Sequence, residues 1–133
     1  MANTVTSQTL VDDDQHAVIK FTNQSDGTAE SALKKVDVSA LREKDGDACT
    51  EVIIQKIVAD ISGMTVKMFW DATANTLCHT ISTSGTTDFR DATGSRGITN
   101  DAGAGKTGDL LFTTVGHASG DYYSIILYMK KVY

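Results

Sequence analysis

Between residues 4 and 132 the chain is a succession of short segments in which apolar and polar side chains alternate, each cut off by Asp, Gly, Ser or Thr. Ala17, Ile19 and Phe21 alternate with His16, Val18 and Lys20; Val66, Met68 and Trp70 alternate with Thr65, Lys67 and Phe69. Successive side chains of a strand point to opposite faces, so a period of two means one sheet face buried and the other wet. Composition pushes the same way. There are fourteen Asp against three Glu, eighteen Thr and no Pro. Asp bonds its own backbone and favours turns, whereas Thr suits strands. The expectation is an all-β, single-domain antiparallel β-sandwich over residues 1–133, jelly-roll-like, with about seven to nine strands.

The pattern places strands at 4–11, 15–23, 51–61, 64–70, 76–83, 109–115 and 122–132. Asp12-Asp13-Asp14, Ser25-Asp26-Gly27 and Lys44-Asp45-Gly46-Asp47 read as turns. Residues 33–41 are ambiguous: Leu33, Val36 and Ala40 allow a short helix, while the Val36/Val38 alternation favours a strand. Residues 51–61 are β-branched almost throughout and suit a central strand. With 64–70 and 76–83 they read as a meander of hairpin spacing. The aromatic, β-branched run from Tyr122 to Met129 also reads as central.

A chain of 133 residues buries roughly two-thirds of its unfolded surface, enough for a core without metal or disulfide staples. The net charge of −5 argues against a nucleic-acid module, which shows a basic face, and against an anionic membrane surface. Cys49 and Cys78 form no CxxC. A disulfide needs their strands to be neighbours, which is open at this level; free, mostly buried thiols are the plainer reading for a protein folded in a reducing cytosol. Residues 1–5 lack the basic and apolar regions of a signal peptide. The apolar run Val52-Ile53-Ile54 is far too short for a membrane span.

No motif on the chain assembles a catalytic set. Gly105-Lys106-Thr107 has the ending of a phosphate-binding loop, but Asn100 stands where that loop needs glycine, and a strand rather than a helix is expected to follow. Asp12-Asp13-Asp14 and Asp45-Gly46-Asp47 carry hard oxygen ligands for Ca²⁺, yet Leu41 occupies the first ligand position counted back from Gly46. They read as solvated turns. His16, His79 and His117 are scattered. His79 adjoins Cys78, but neighbours on a regular strand face opposite ways. There is no GxSxG elbow, and Glu30, Glu43 and Glu51 lack the supporting aromatics of a glycosidase. The expectation is a non-enzyme with no cofactor and no metal. Phe69, Trp70, Tyr122, Tyr123, Tyr128 and Tyr133 could stack on sugars, although strand aromatics are more commonly core or cross-strand pairs. Lys130-Lys131 reads as edge protection and a solvated tail.

The pattern breaks once. Between Phe89 and Leu110 only Ile98 is large and apolar, while five of eleven glycines and two of three arginines fall there. Long segments without strands in a compact domain are usually functional or disordered. Two stretches carry a resemblance. The opening residues 1–12, followed by Ala17-Val18-Ile19-Lys20-Phe21-Thr22 and Ser25-Asp26-Gly27, and the ending, Lys106 to Thr114 joined to Gly120 to Leu127, are similar to small β-rich virion proteins of tailed bacteriophages, especially of cyanobacterial and marine hosts.

That resemblance implies a structural virion protein, made in the host cytoplasm and resident in the virion. Its first reading is a capsid decoration (cement) protein that contacts the major capsid protein or other virion proteins. A homo-oligomer, trimer or dimer, is expected, with no nucleic-acid or membrane partner. A neck or tail component, or a carbohydrate-binding receptor-recognition module, is the alternative. Contacts are expected from a flexible N-terminal arm (1–7) and the Gly-rich loop (90–108), with Asn3, Val5, Arg90, Arg96, Ile98 and Lys106 as candidate contact residues.

Overall fold

The computed structural model describes residues 4–25, 27, 30–89, 97–116 and 118–133. Among them nine strands form two antiparallel sheets: β1 (Thr4–Asp12), β2 (His16–Gln24), β3 (Leu33–Val36), β4 (Glu51–Ser62), β5 (Thr65–Trp70), β6 (Thr76–Ile81), β7 (Gly85–Asp88), β8 (Leu110–Val115) and β9 (Tyr122–Val132). A 3₁₀ turn, Val38–Ala40, follows β3, so the ambiguous segment 33–41 holds a short strand and then a short helical turn. One sheet runs β1-β2-β9-β4-β7 and the other β3-β8-β5-β6. The expected all-β sandwich is what forms.

The alternation read from β2 is observed: Ala17, Ile19, Phe21 and Asn23 are buried and their neighbours are not. Opposite them, Val66, Met68 and Trp70 of β5 and Leu110 and Phe112 of β8 are fully buried. Phe112 bridges the layers, meeting Phe21 edge-on at 5.5 Å between centroids and Tyr123 at 5.9 Å. Such pairs add to burial because the positive ring edge meets a negative face. Strand β9 sits in the middle of the larger sheet, hydrogen-bonded to β2 and β4, as its aromatic and β-branched content predicts.

Three expectations need correction. Residues 51–61, 64–70 and 76–83 are not one meander: β5 and β6 are a hairpin, but β4 lies in the other sheet. Both edges of β4 are taken by β9 and β7, so the chain crosses at Gly63, whose φ of +78° suits glycine. The four-residue β7 went unread because Gly85-Thr86-Thr87-Asp88 has no apolar alternation. Residues Thr4 to Ser7, assigned to a flexible arm, pair with β2 from Gln24 to Phe21; only residues 1–3 of that arm lie outside the described residues.

Candidate functional site

The most unusual surface is β1. Among the described residues it is an edge strand, paired only with β2, and its side chains from Val5 to Val11 are exposed on both faces. No charged residue occurs between Thr4 and Val11. Exposed edges offer unpaired N–H and C=O groups and are normally blunted by shortness, lysine or proline. Of the other edge strands, β7 and β3 have four residues each and β3 carries Lys34 and Lys35, whereas β6, six residues long with Leu77 exposed, has neither lysine nor proline. At nine residues with Val5, Leu10 and Val11 exposed, β1 carries no such device apart from one irregularity in register between Thr9 and Val11.

Of the other expected contact residues, Asn3, Arg90 and Arg96 lie outside the described residues. Ile98 is turned inward. Its backbone exchanges two hydrogen bonds with Ile54 of β4 (3.0 and 2.8 Å), and its side chain packs against the core. Gly97 makes this approach feasible, because a β-carbon there would collide with the Ile54 carbonyl, and its φ is +116°. Farther on, Thr107 N–H donates to the Asp71 carbonyl and its hydroxyl to Asp71 Oδ2 at 2.8 Å. Lys106 Nζ lies 3.5 Å from Glu51 Oε1, a part-exposed pair of small energetic weight. Thus residues 97–108 are laced onto the body of the sandwich, and strand β8, not a helix, follows Gly105-Lys106-Thr107.

The structure also buries charge where the sequence reading expected solvent. Lys131 was assigned to a solvated, edge-protecting tail; its side chain is instead fully buried. Its ammonium pairs with Asp12 Oδ1 and donates to the backbone carbonyls of Asp13 (2.5 Å) and Arg42 (3.2 Å). The reason is position: β9 is a central strand, and 131 continues the inward parity of 123, 125, 127 and 129. Asp12 also accepts the Arg42 N–H. Asp13 Oδ1 accepts the N–H groups of Gln15 and His16, and these bonds hold its carboxyl below the usual range.

A second cluster joins β2, β3 and β9. Glu30 is buried, with Oε2 2.6 Å from Lys35 Nζ and Oε1 accepting the Tyr123 hydroxyl at 2.6 Å. The Asn23 side chain bonds that same hydroxyl. Burial, then the Glu30 carboxylate, drives the Tyr123 hydroxyl far above its ordinary value. Glu30 is positioned by β8: its N–H donates to Thr114 Oγ1 (2.8 Å) and its carbonyl accepts the Thr114 N–H (3.0 Å). Neither cluster was foreseen. The available signal was parity: Asn23 and Lys131 are polar residues on the core-facing phase of their strands. Glu30 and Lys35 carried no such signal.

Of the strand aromatics, Trp70 and Tyr123 belong to the core, at 0% and 1% exposure, as the commoner reading of strand aromatics has it, while Tyr122 and Tyr133 are exposed. A cleft of about 280 Å³ between β6 and β7 is lined mainly by hydroxyls, with His79 at one side. That imidazole packs edge-on against Phe89 at 5.4 Å, and burial lowers its pKa, which favours the neutral ring. Cys49 and Cys78 are free thiols, and burial pushes Cys78 up to about 12. Among the described residues no three His, Cys, Asp or Glu side chains are grouped to hold a metal ion, and no helix is long and apolar enough to cross a membrane. In comparisons with known proteins, no family model, no curated protein and no solved structure matches the chain.

Proposed function

We propose that this chain is a structural protein of a tailed-phage particle, most simply a capsid decoration protein that works through protein–protein contacts. One observation supports a contact role above all: β1 is a nine-residue edge strand, uncharged from Thr4 to Val11 and exposed on both faces. An edge of this kind is the template for strand addition. Its occupant in our reading is a second copy of the chain. Antiparallel pairing of β1 with β1 about a two-fold axis is self-complementary in backbone bonding. It also brings two acidic chains together along a strip that has no charge to repel. Such a dimer would present two identical faces to the major capsid protein.

Quantitative mass spectrometry of purified particles tests the location. A decoration protein is present in many copies per head, a neck or tail component in a few, and absence from the particle rejects the virion reading altogether. Leu10→Lys and Val5→Lys test the contact. Both positions are exposed, so each variant is expected to keep its melting temperature while losing self-association by analytical ultracentrifugation. A wild-type chain that is monomeric at high concentration refutes the β1 pairing.

A further inference from the structure

At one end of the sandwich, four polar side chains with almost no solvent contact form a continuous path: Lys35 Nζ to Glu30 Oε2, Glu30 Oε1 to the Tyr123 hydroxyl, and that hydroxyl to Asn23. We propose that Lys35 and Asn23 join in a covalent amide that staples the two sheets, with Glu30 as proton carrier and Tyr123 as relay. The inference rests on this cluster alone and is independent of the role of β1.

Three features of the site support it. First, Lys35 is aimed inward by a β-bulge: β3 pairs with β8 at Lys34↔Leu111 and Val36↔Leu110, leaving Lys35 as the extra residue. Bulges re-aim side chains and are enriched beside reactive sites. Second, Asn23 Oδ1 is buried and has no hydrogen-bond partner among the described residues. An unsatisfied carbonyl in the interior is costly, and it is the atom on which negative charge develops when an amine adds to a carboxamide. Third, the walls are apolar: Lys35 Nζ lies 5.9 Å from the ring centroids of both Phe112 and Tyr123, with Phe21 packed on Phe112. A buried ion pair in such walls is a weak source of stability, because desolvation offsets its attraction.

The chemistry closes without oxidant or cofactor. Glu30 takes a proton from Lys35 Nζ, and the flexible four-carbon stem brings the free amine onto Asn23 Cγ. The Nζ–Cγ bond forms, and charge moves to Oδ1. Glu30 returns its proton through the Tyr123 hydroxyl to Asn23 Nδ2, the Cγ–Nδ2 bond breaks, and the departing nitrogen takes the second proton from Nζ and leaves as ammonium. One lysine ammonium and one carboxamide give one secondary amide and one ammonium ion, so the chain loses the mass of one ammonia. The product joins β2 of one sheet to β3 of the other.

Intact-mass spectrometry of the purified full chain tests this. The expected mass is that of the sequence less one ammonia. Tandem spectra of a tryptic digest should show a branched peptide in which Lys35 carries the Asn23 side chain, with no cleavage after Lys35. Lys35→Met and Glu30→Gln should both have their full sequence mass. A folded wild-type chain at full sequence mass overturns the proposal. So does an ammonia loss that persists in Lys35→Met, which would mark ring closure of Asn23 on its own backbone. Loss retained in Glu30→Gln removes Glu30 from the reaction and overturns the mechanism. If either variant fails to fold, the branched wild-type peptide still decides the matter.

Discussion

The buried Lys131 makes an asymmetric prediction. Its side chain is fully buried, whereas its partner Asp12 is 26% exposed. Replacing Lys131 by Met removes the buried charge, fills the same volume with apolar atoms and leaves Asp12 able to turn to water. Replacing Asp12 by Asn leaves an ammonium in the interior with no counter-charge, surrounded only by neutral carbonyl oxygens such as those of Asp13 and Arg42. Breaking a buried pair from one side costs about 3–5 kcal/mol, while replacing the buried charge by a hydrophobe is near neutral. The partial exposure of Asp12 lets water reach the site, so we expect about 2–3 kcal/mol for Asp12→Asn and less than about 1 kcal/mol for Lys131→Met. At about 3–5 °C per kcal/mol for a chain of this size, Asp12→Asn should lower the melting temperature by roughly 10 °C. Urea unfolding monitored by Trp70 fluorescence measures both variants, with the midpoint shifting at constant slope. If Lys131→Met is as destabilising as Asp12→Asn, the attribution to an uncompensated buried charge is wrong.

The other expectations use different parts of the fold. Gly97→Ala and Gly108→Ala each force a β-carbon against a backbone carbonyl, of Ile54 and Thr50 respectively, at positive φ; each should cost about 2–4 kcal/mol by urea unfolding, well above the ordinary surface range. Phe112→Ala removes the ring between Phe21 and Tyr123 and should cost about 3–5 kcal/mol in the same assay. The Cys78 thiol is raised from 9.0 to about 12 by burial. A folded acid with a raised pKa keeps its proton where the unfolded chain has lost it, so its contribution is whole below about pH 9 and lost as the pH rises toward 12. Urea midpoints should therefore fall with pH across that window, and Cys78→Ala should flatten the fall. Because Tyr123 is shifted in the same direction, some slope should remain. An unchanged slope in Cys78→Ala contradicts the burial of that thiol.

Parity along the strands was legible because burial on a sheet face follows directly from a period of two. Hence Ala17-Ile19-Phe21, Val66-Met68-Trp70 and the central β9 came from the residues alone, with the all-β class and most strand positions. What parity could not supply was which strands pair. Ser62-Gly63 looks like a hairpin turn whether the chain returns beside β4 or crosses to the other sheet; occupation of both β4 edges by β9 and β7 decides it. The same limit hid the clusters. Lys131 and Asp12 are 119 residues apart, and Glu30 reaches Tyr123 across 93. Lys35 faces inward only because β3 carries an extra residue against β8. The local sequence determined which faces would be dry, because alternation and turn chemistry act between neighbours. Tertiary structure alone decided which charges would lie in that dry interior and against what, because a buried ion finds its partner through strand order, register and bulges, which are set by contacts distant in the chain.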